Sequence, residues 1–341
     1  MNILKTPLRN VGRVLVTGGT GFLGAYIINE LVNNGYEVKA IRRSNKLPFF
    51  IPVDVLNKVE WIQGDILDIT GLEQAMEGMD TVIHSAAKVS TDPGERKEMY
   101  KTNIDGTINV VNAALEKKIK KLVYISSVAV LGRTENGATV NEGKQWEERN
   151  LHTHYAISKY HAEMEVWRAI AEGLDAIIIN PSTILGYGDW NNSSCALFKT
   201  AYNEFPWYTE GINGFVDVHD AAKAVVLLMQ TNINGERFLL NSENWSFHQL
   251  LNSIADGFTK KRPHLEATPF LGAITWRWEK LKSIFTGSSP LLTKENARIA
   301  QSKTYFDNGK IQQYLPDFTF TPLQQSIQQA CKAYLHHLQH V

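Results

Sequence analysis

Short apolar runs and longer segments with helically spaced apolar positions take turns along the first half of the chain. Val14, Leu15 and Val16 lead into a glycine-rich stretch, and Ala25, Ile27, Ile28, Leu31 and Val32 follow at helical spacing. This predicts a strand, a tight turn and a helix. Gly35 stops that helix. Further apolar strands are predicted at 36–41, 59–66, 81–87, 121–127 and 175–181, and helices at 72–79, 98–118, 155–171 and 221–229. Apolar strands without polar alternation are buried on both faces. Regular β/α alternation then means a parallel, doubly wound Rossmann-type α/β sheet.

Beyond Gly186 the alternation weakens and aromatic residues crowd the chain: Tyr187, Trp190, Phe198, Tyr202, Phe205, Trp207, Tyr208 and Phe215. They either wall an apolar pocket or fill a second core. We expect a nucleotide-binding domain over 11–186, with 216–240 returning to it. A smaller α/β substrate-binding region would comprise 187–215 and 241–341. Residues 274–285, with Trp276, Trp278, Leu281 and Phe285, read as a core or lid helix rather than a membrane-surface helix.

Composition narrows the function classes. Lys+Arg and Asp+Glu both number 35, so the formal net charge is zero and nothing draws the chain to nucleic acid or an anionic membrane. No apolar stretch has the length of a membrane span, and the N-terminus lacks a signal-peptide pattern. The two cysteines, Cys195 and Cys331, have no metal or CxxC spacing. A reduced, cytoplasmic chain without a metal site is the expectation.

Gly18, Gly21 and Gly24 have the spacing a dinucleotide pyrophosphate needs: a tight turn, close approach of backbone to phosphate, and close strand–helix packing. The phosphates would meet the free N–H groups of the following helix. A carboxylate at the end of the second strand would favour NAD; Arg42 and Arg43 stand there instead. Their guanidinium groups suit the 2′-phosphate of NADP, with NAD left open and a solvated basic turn as the plain alternative. Asp65, just past the third strand, either meets the adenine amino group or caps a turn. His84 reads as a packed or capping histidine.

Tyr155 and Lys159 lie four apart at a helix start and share one face. A nearby ammonium lowers a phenol pKa, so the tyrosine could pass a proton to a carbonyl oxygen, and Ser127 at a strand end could hold that oxygen. Together these suit hydride transfer with a nicotinamide cofactor.

The motifs Thr17-Gly18-Gly19-Thr20-Gly21-Phe22-Leu23-Gly24, His84-Ser85-Ala86-Ala87, Tyr124-Ile125-Ser126-Ser127, Tyr155-x-x-x-Lys159 and Asn180-Pro181-Ser182-Thr183-Ile184-Leu185-Gly186 occur in this order. The set resembles the extended short-chain dehydrogenase/reductase family over about residues 11–240. The resemblance implies catalytic Ser127, Tyr155 and Lys159, with Asn103 in support. It implies Thr20, Phe22 and Leu23 along the pyrophosphate turn, Asp65 and Ile66 beside adenine, and Ala86, Ala87 and Lys88 along the cofactor cleft. Pro181, Thr183 and Ile184 would face the nicotinamide end. Family members often dimerise through the helices carrying Asn103 and Tyr155, which leaves the oligomeric state open between a monomer and a homodimer.

Within that family, Ser127 is followed by Val128-Ala129-Val130-Leu131, which lacks the dehydratase carboxylates. No arginine lies between Arg168 and Arg237, although a sugar-nucleotide diphosphate calls for one. The chain therefore resembles the dihydroflavonol-reductase-like and 3β-hydroxysteroid-dehydrogenase-like branch. The expected activity is reduction of a small, largely apolar ketone or aldehyde, or oxidation of the matching alcohol. An NAD-dependent sugar-nucleotide epimerase and a non-catalytic NADP-binding sensor are the alternatives.

Overall fold

A computed structural model describes residues 12–133, 137–147, 153–268 and 294–340. The expected helix at 274–285 lies outside these residues. The first half runs β1 (Arg13–Thr17), α1 (Phe22–Asn33), β2 (Glu37–Arg42), α2 (Val53–Leu56), β3 (Glu60–Gln63), α3 (Ile69–Met76), β4 (Thr81–His84), α4 (Arg96–Tyr100), α5 (Gly106–Glu116) and β5 (Lys121–Ile125). Then come β6 (Thr139–Val140), α6 (His154–Ala171), β7 (Ala176–Pro181), β8 (Thr183–Leu185), α7 (Ala196–Tyr202), β9 (Trp207–Tyr208) and β10 (Ile212–Asp217). Next are α8 (Val218–Met229), β11 (Glu236–Leu240), β12 (Glu243–Ser246), α9 (Phe247–Gly257), β13 (Leu265–Glu266) and β14 (Tyr305–Phe306). A C-terminal helix covers Leu323–His340.

Seven strands form the central sheet in the order β11-β7-β5-β4-β1-β2-β3. Every neighbouring pair is parallel. The order turns back at β1, leaving β2 on one side and β4 on the other. Such a switch point opens a crevice at the carboxyl ends of the strands. Alternate strand residues supply opposite faces, as pleating requires. Val14 and Val16 join α1 and α8 in one core, while Leu15, Val82, Leu122 and Tyr124 join α3, α5 and α6 in the other.

A smaller sheet, β12-β10-β8, packs beyond the central one, with β10 parallel to β8 and antiparallel to β12. The aromatic stretch resolves mainly into a third core. Phe198 and Phe215 are fully buried there with Phe258 and Tyr334, and Tyr187, Trp190 and Tyr202 pack against it. Phe205 and Trp207 are exposed. The wall-or-core alternative is thus decided for Phe198 and Phe215, whose rings have no free face.

The pattern at 98–118 is not one helix. Between α4 and α5 the backbone makes a π-type turn over Lys101–Asp105. The extra residue per turn shifts the helical register, and Asn103 sits inside it.

Candidate active site

The glycine turn has little freedom. Gly18 adopts φ +72°, and a Cβ there would come within 2.6 Å of the Ala86 nitrogen. A Cβ on Gly24 would lie 2.2 Å from the Gly18 oxygen. Helix α1 starts from Gly21 with no side-chain cap, so the first N–H groups of the helix face the crevice without an internal acceptor. The Phe22 ring leans into a second turn. A Cβ on Gly188 would strike it at 2.8 Å, and one on Gly186 would approach it to 3.4 Å. Thr20 is half-buried and Leu23 buried.

At the end of β2, Arg42 lies over the Trp61 ring at 5.9 Å and its Nε is buried without a hydrogen-bond partner. Arg43 is exposed. The glycine cradle and the uncapped helix start fit the pyrophosphate of a dinucleotide. Asp65 accepts from the Leu67 N–H at 3.0 Å, the geometry of a turn cap. Ile66 is buried against Gly106, where a Cβ would meet its Cδ1 at 2.5 Å.

The strand-end serines of β5 face opposite ways. Ser126 Oγ donates to Glu163 Oε2 at 2.6 Å. Ser127 Oγ accepts from the Ala129 N–H at 3.1 Å and lies near enough to Tyr155 to influence its phenol. Helix α6 begins with Thr153, whose hydroxyl accepts from the Ala156 N–H at 3.0 Å, and this cap sets Tyr155 in the first turn. Burial pushes the Tyr155 phenol up to about 12, and the neighbouring Ser127 hydroxyl pulls the other way.

Lys159 is one turn on and 2% exposed. Its Nζ donates to the Ile125 carbonyl at 2.8 Å and lies 4.4 Å over the Tyr124 ring. Burial lowers its pKa to about 7, and the negative charge of Glu163 opposes that fall.

Asn103 holds the loop after β4. Its Oδ1 accepts from the Lys88 N–H at 2.7 Å, and its Nδ2 donates to the Lys88 carbonyl at 3.0 Å and to Ser158 Oγ at 2.9 Å. The Lys88 ammonium turns to Glu95 and Glu98. The Ala86 N–H donates to Thr17 Oγ1 at 3.3 Å, and Ala87 follows in the same loop. Pro181 ends β7 beside Leu240. Thr183 Oγ1 accepts from Asn213 Nδ2 at 2.8 Å, and Ile184 packs on the first core. Among the described residues there is no metal-ligand cluster, and no helix is long and apolar enough to cross a membrane.

A family model described as the NAD dependent epimerase/dehydratase family matches residues 14–240. The chain belongs to that family. It is 30% identical over 309 residues to a Synechocystis protein named "Putative dihydroflavonol 4-reductase", covering 88% of each chain. It is 31% identical over 260 residues to sterol demethylase protein B of Methylococcus capsulatus, covering 75% of this chain and 78% of that one. The crystal structure of a protein called gox2253 superposes with a TM-score of 0.81 at 27% identity, covering 96% of this chain and 98% of the other. The family member described here is thus an oxidoreductase of the extended short-chain dehydrogenase/reductase type.

Two residues of this family member escaped the sequence reading. Glu163 is 1% exposed and receives hydrogen bonds from Ser126, Asn180, Trp167 and Arg237. Its place four residues after Lys159 was the available signal. Arg133 follows the short turn after Ser127 and donates to Ser302. Burial lowers its pKa to about 10. It lies outside the arginine-free stretch between Arg168 and Arg237.

Proposed function

We propose that the protein is an NADP-preferring reductase of a ketone or aldehyde, or in reverse a dehydrogenase of the matching alcohol. The convergence of Ser127 at the end of β5, Tyr155 in the first turn of α6 and Lys159 one helical turn on carries this reading. Gly18, Gly21, Gly24 and the start of α1 would hold the pyrophosphate. Arg42 and Arg43 would hold the 2′-phosphate. When bound, the cofactor supplies the hydride.

The chain's own residues handle the oxygen and its proton. Ser127 donates a hydrogen bond to the carbonyl oxygen and fixes its position. Tyr155, kept neutral by its raised pKa, donates the proton as the oxygen gains charge. The Lys159 ammonium stabilises the phenolate left behind, so its field acts in the transition state rather than in the ground state. With Phe198 and Phe215 in the core, the described aromatic residues of this stretch that remain accessible to an apolar substrate are Tyr187, Trp190, Tyr202, Phe205, Trp207 and Tyr208.

The deciding experiment follows NADPH oxidation, beside NADH, against a panel of aliphatic and aromatic aldehydes and ketones. Turnover by the wild type that Tyr155→Phe loses by at least about a hundredfold, with NADPH binding retained, supports the reading. Turnover retained in Tyr155→Phe rejects the proton-donor role.

A further inference from the structure

His84 is fully buried at the end of β4, between the glycine turn and the π-type turn. Thr107 Oγ1 donates its only proton to the Asn103 carbonyl at 2.6 Å. Toward His84 Nε2, 3.0 Å away, it can therefore only accept. The imidazole must carry its proton on Nε2. The bare Nδ1 then accepts from Thr17 Oγ1 at 2.7 Å, and Thr17 Oγ1 accepts in turn from the Ala86 N–H at 3.3 Å. Every proton in the chain Ala86–Thr17–His84–Thr107–Asn103 points the same way.

The far end continues into the reaction site. Asn103 donates through Nδ2 to Ser158 Oγ, and Ser158 Oγ donates to the Tyr155 carbonyl at 2.8 Å. Asn103 also clamps the Lys88 backbone in the loop that Ala86 opens. The chain thus starts and ends on parts that meet cofactor and substrate.

We infer that His84 is a positioning residue: as a neutral imidazole with one fixed tautomer, it ties the nucleotide turn to the Asn103 turn and so holds the cofactor loop and the Tyr155 helix in one register. The inference rests on the reading of this crevice as the dinucleotide site. Two observations separate it from a merely packed histidine. An apolar side chain of similar size would fill the space without a buried polar chain that must be satisfied at every link. The groups facing the ring also disfavour its charged form. Burial lowers the His84 pKa to about 3, and the Lys159 ammonium adds repulsion.

The test uses the full-length protein and whichever of NADPH or NADH the wild type binds more tightly. Histidine 15N spectra between pH 5 and 8 should show His84 with a protonated Nε2 and a bare Nδ1 throughout. Thr107→Val, which deletes one link and keeps the shape, should weaken dinucleotide binding by about tenfold. Thr107→Ser should restore it. Thermal unfolding of all three proteins separates binding from folding. A Thr107→Val protein that binds as the wild type does, whatever its unfolding temperature, overturns the inference. So does a His84 ring protonated on Nδ1 at pH 6. Failure of the dinucleotide to bind the wild type would remove the reading of the crevice and this inference together. Turnover retained in Tyr155→Phe would remove only the proton-donor role.

Discussion

Lys159 and Glu163 lie four residues apart on α6, both buried, and their charges are directed to different partners. The Lys159 ammonium donates to the Ile125 carbonyl, whereas the Glu163 carboxylate accepts from Ser126, Asn180, Trp167 and Arg237. The carboxylate therefore acts on the lysine through space. It offsets part of the cost of burying the ammonium.

That arrangement sets a pH dependence of stability. In the folded apo protein the Lys159 pKa falls to about 7, below its ordinary value. Between pH 7 and the ordinary lysine range, the unfolded chain binds the extra proton and the folded one does not. Stability therefore rises with pH across that window. Thermal melts from pH 7 to 10 should show this rise, and Lys159→Met should flatten it. A wild type and mutant with parallel curves would contradict the lowered pKa.

The two serines should separate by function. Ser126→Ala leaves the Glu163 carboxylate one donor short and should cost about 1–3 kcal/mol of stability with modest loss of activity. Ser127→Ala removes the hydroxyl that neighbours Tyr155 and should cost at least about tenfold in kcat with little change in stability. Denaturant unfolding and steady-state kinetics on both variants check the pair.

Arg42 and Arg43 should set the choice of cofactor. Arg42→Ala with Arg43→Ala should weaken NADPH by at least about tenfold and leave NADH unchanged within about twofold. Fluorescence titration of both nucleotides measures it. Equal effects on the two would mean the arginines do not read the 2′-phosphate.

Gly24 and Gly106 should respond differently to alanine. The new Cβ at Gly24 would meet the backbone oxygen of Gly18 at 2.2 Å, and that oxygen cannot retreat without breaking the turn. At Gly106 the obstacle is the Ile66 side chain, with Cδ1 at 2.5 Å and Cγ1 at 2.9 Å, which a change of χ1 moves aside. Gly24→Ala should therefore destabilise by about 1–3 kcal/mol or more and abolish dinucleotide binding. Gly106→Ala should cost less and still bind. Calorimetry and nucleotide titration distinguish them.

The middle of the central sheet was legible because β5 and β7 are buried on both faces. Unbroken runs such as Leu122–Val123–Tyr124 and Ile177–Ile178–Ile179 leave few alternatives to a parallel core strand. Strand ends were read too long: β4 stops at His84 and β5 at Ile125, beyond which one further backbone N–H of each, Ser85 to Thr17 and Ser126 to Ile179, still reaches a neighbouring strand before the chain turns away. The π-type turn at Lys101–Asp105 was hidden, since one extra residue leaves the apolar spacing nearly unchanged over so short a span. Glu163 was hidden for another reason. On an amphipathic helix a glutamate reads as solvent-facing, and only the tertiary arrangement brings four donors to it. The aromatic stretch could not be assigned from composition, because a pocket wall and a core draw on the same residues.

The wedge of Phe22 against Gly186 and Gly188 links two distant stretches of sequence in descent as well as in space. A side chain at position 188 is barred while Phe22 stands, since its first carbon would fall 2.8 Å from the ring. A lineage could enlarge that second turn only after a smaller residue had replaced Phe22. Even then position 186 would still face Val218, whose Cγ1 would lie 2.5 Å from the added carbon. Drift at these positions must therefore be ordered, with the ring lost before the glycine at 188.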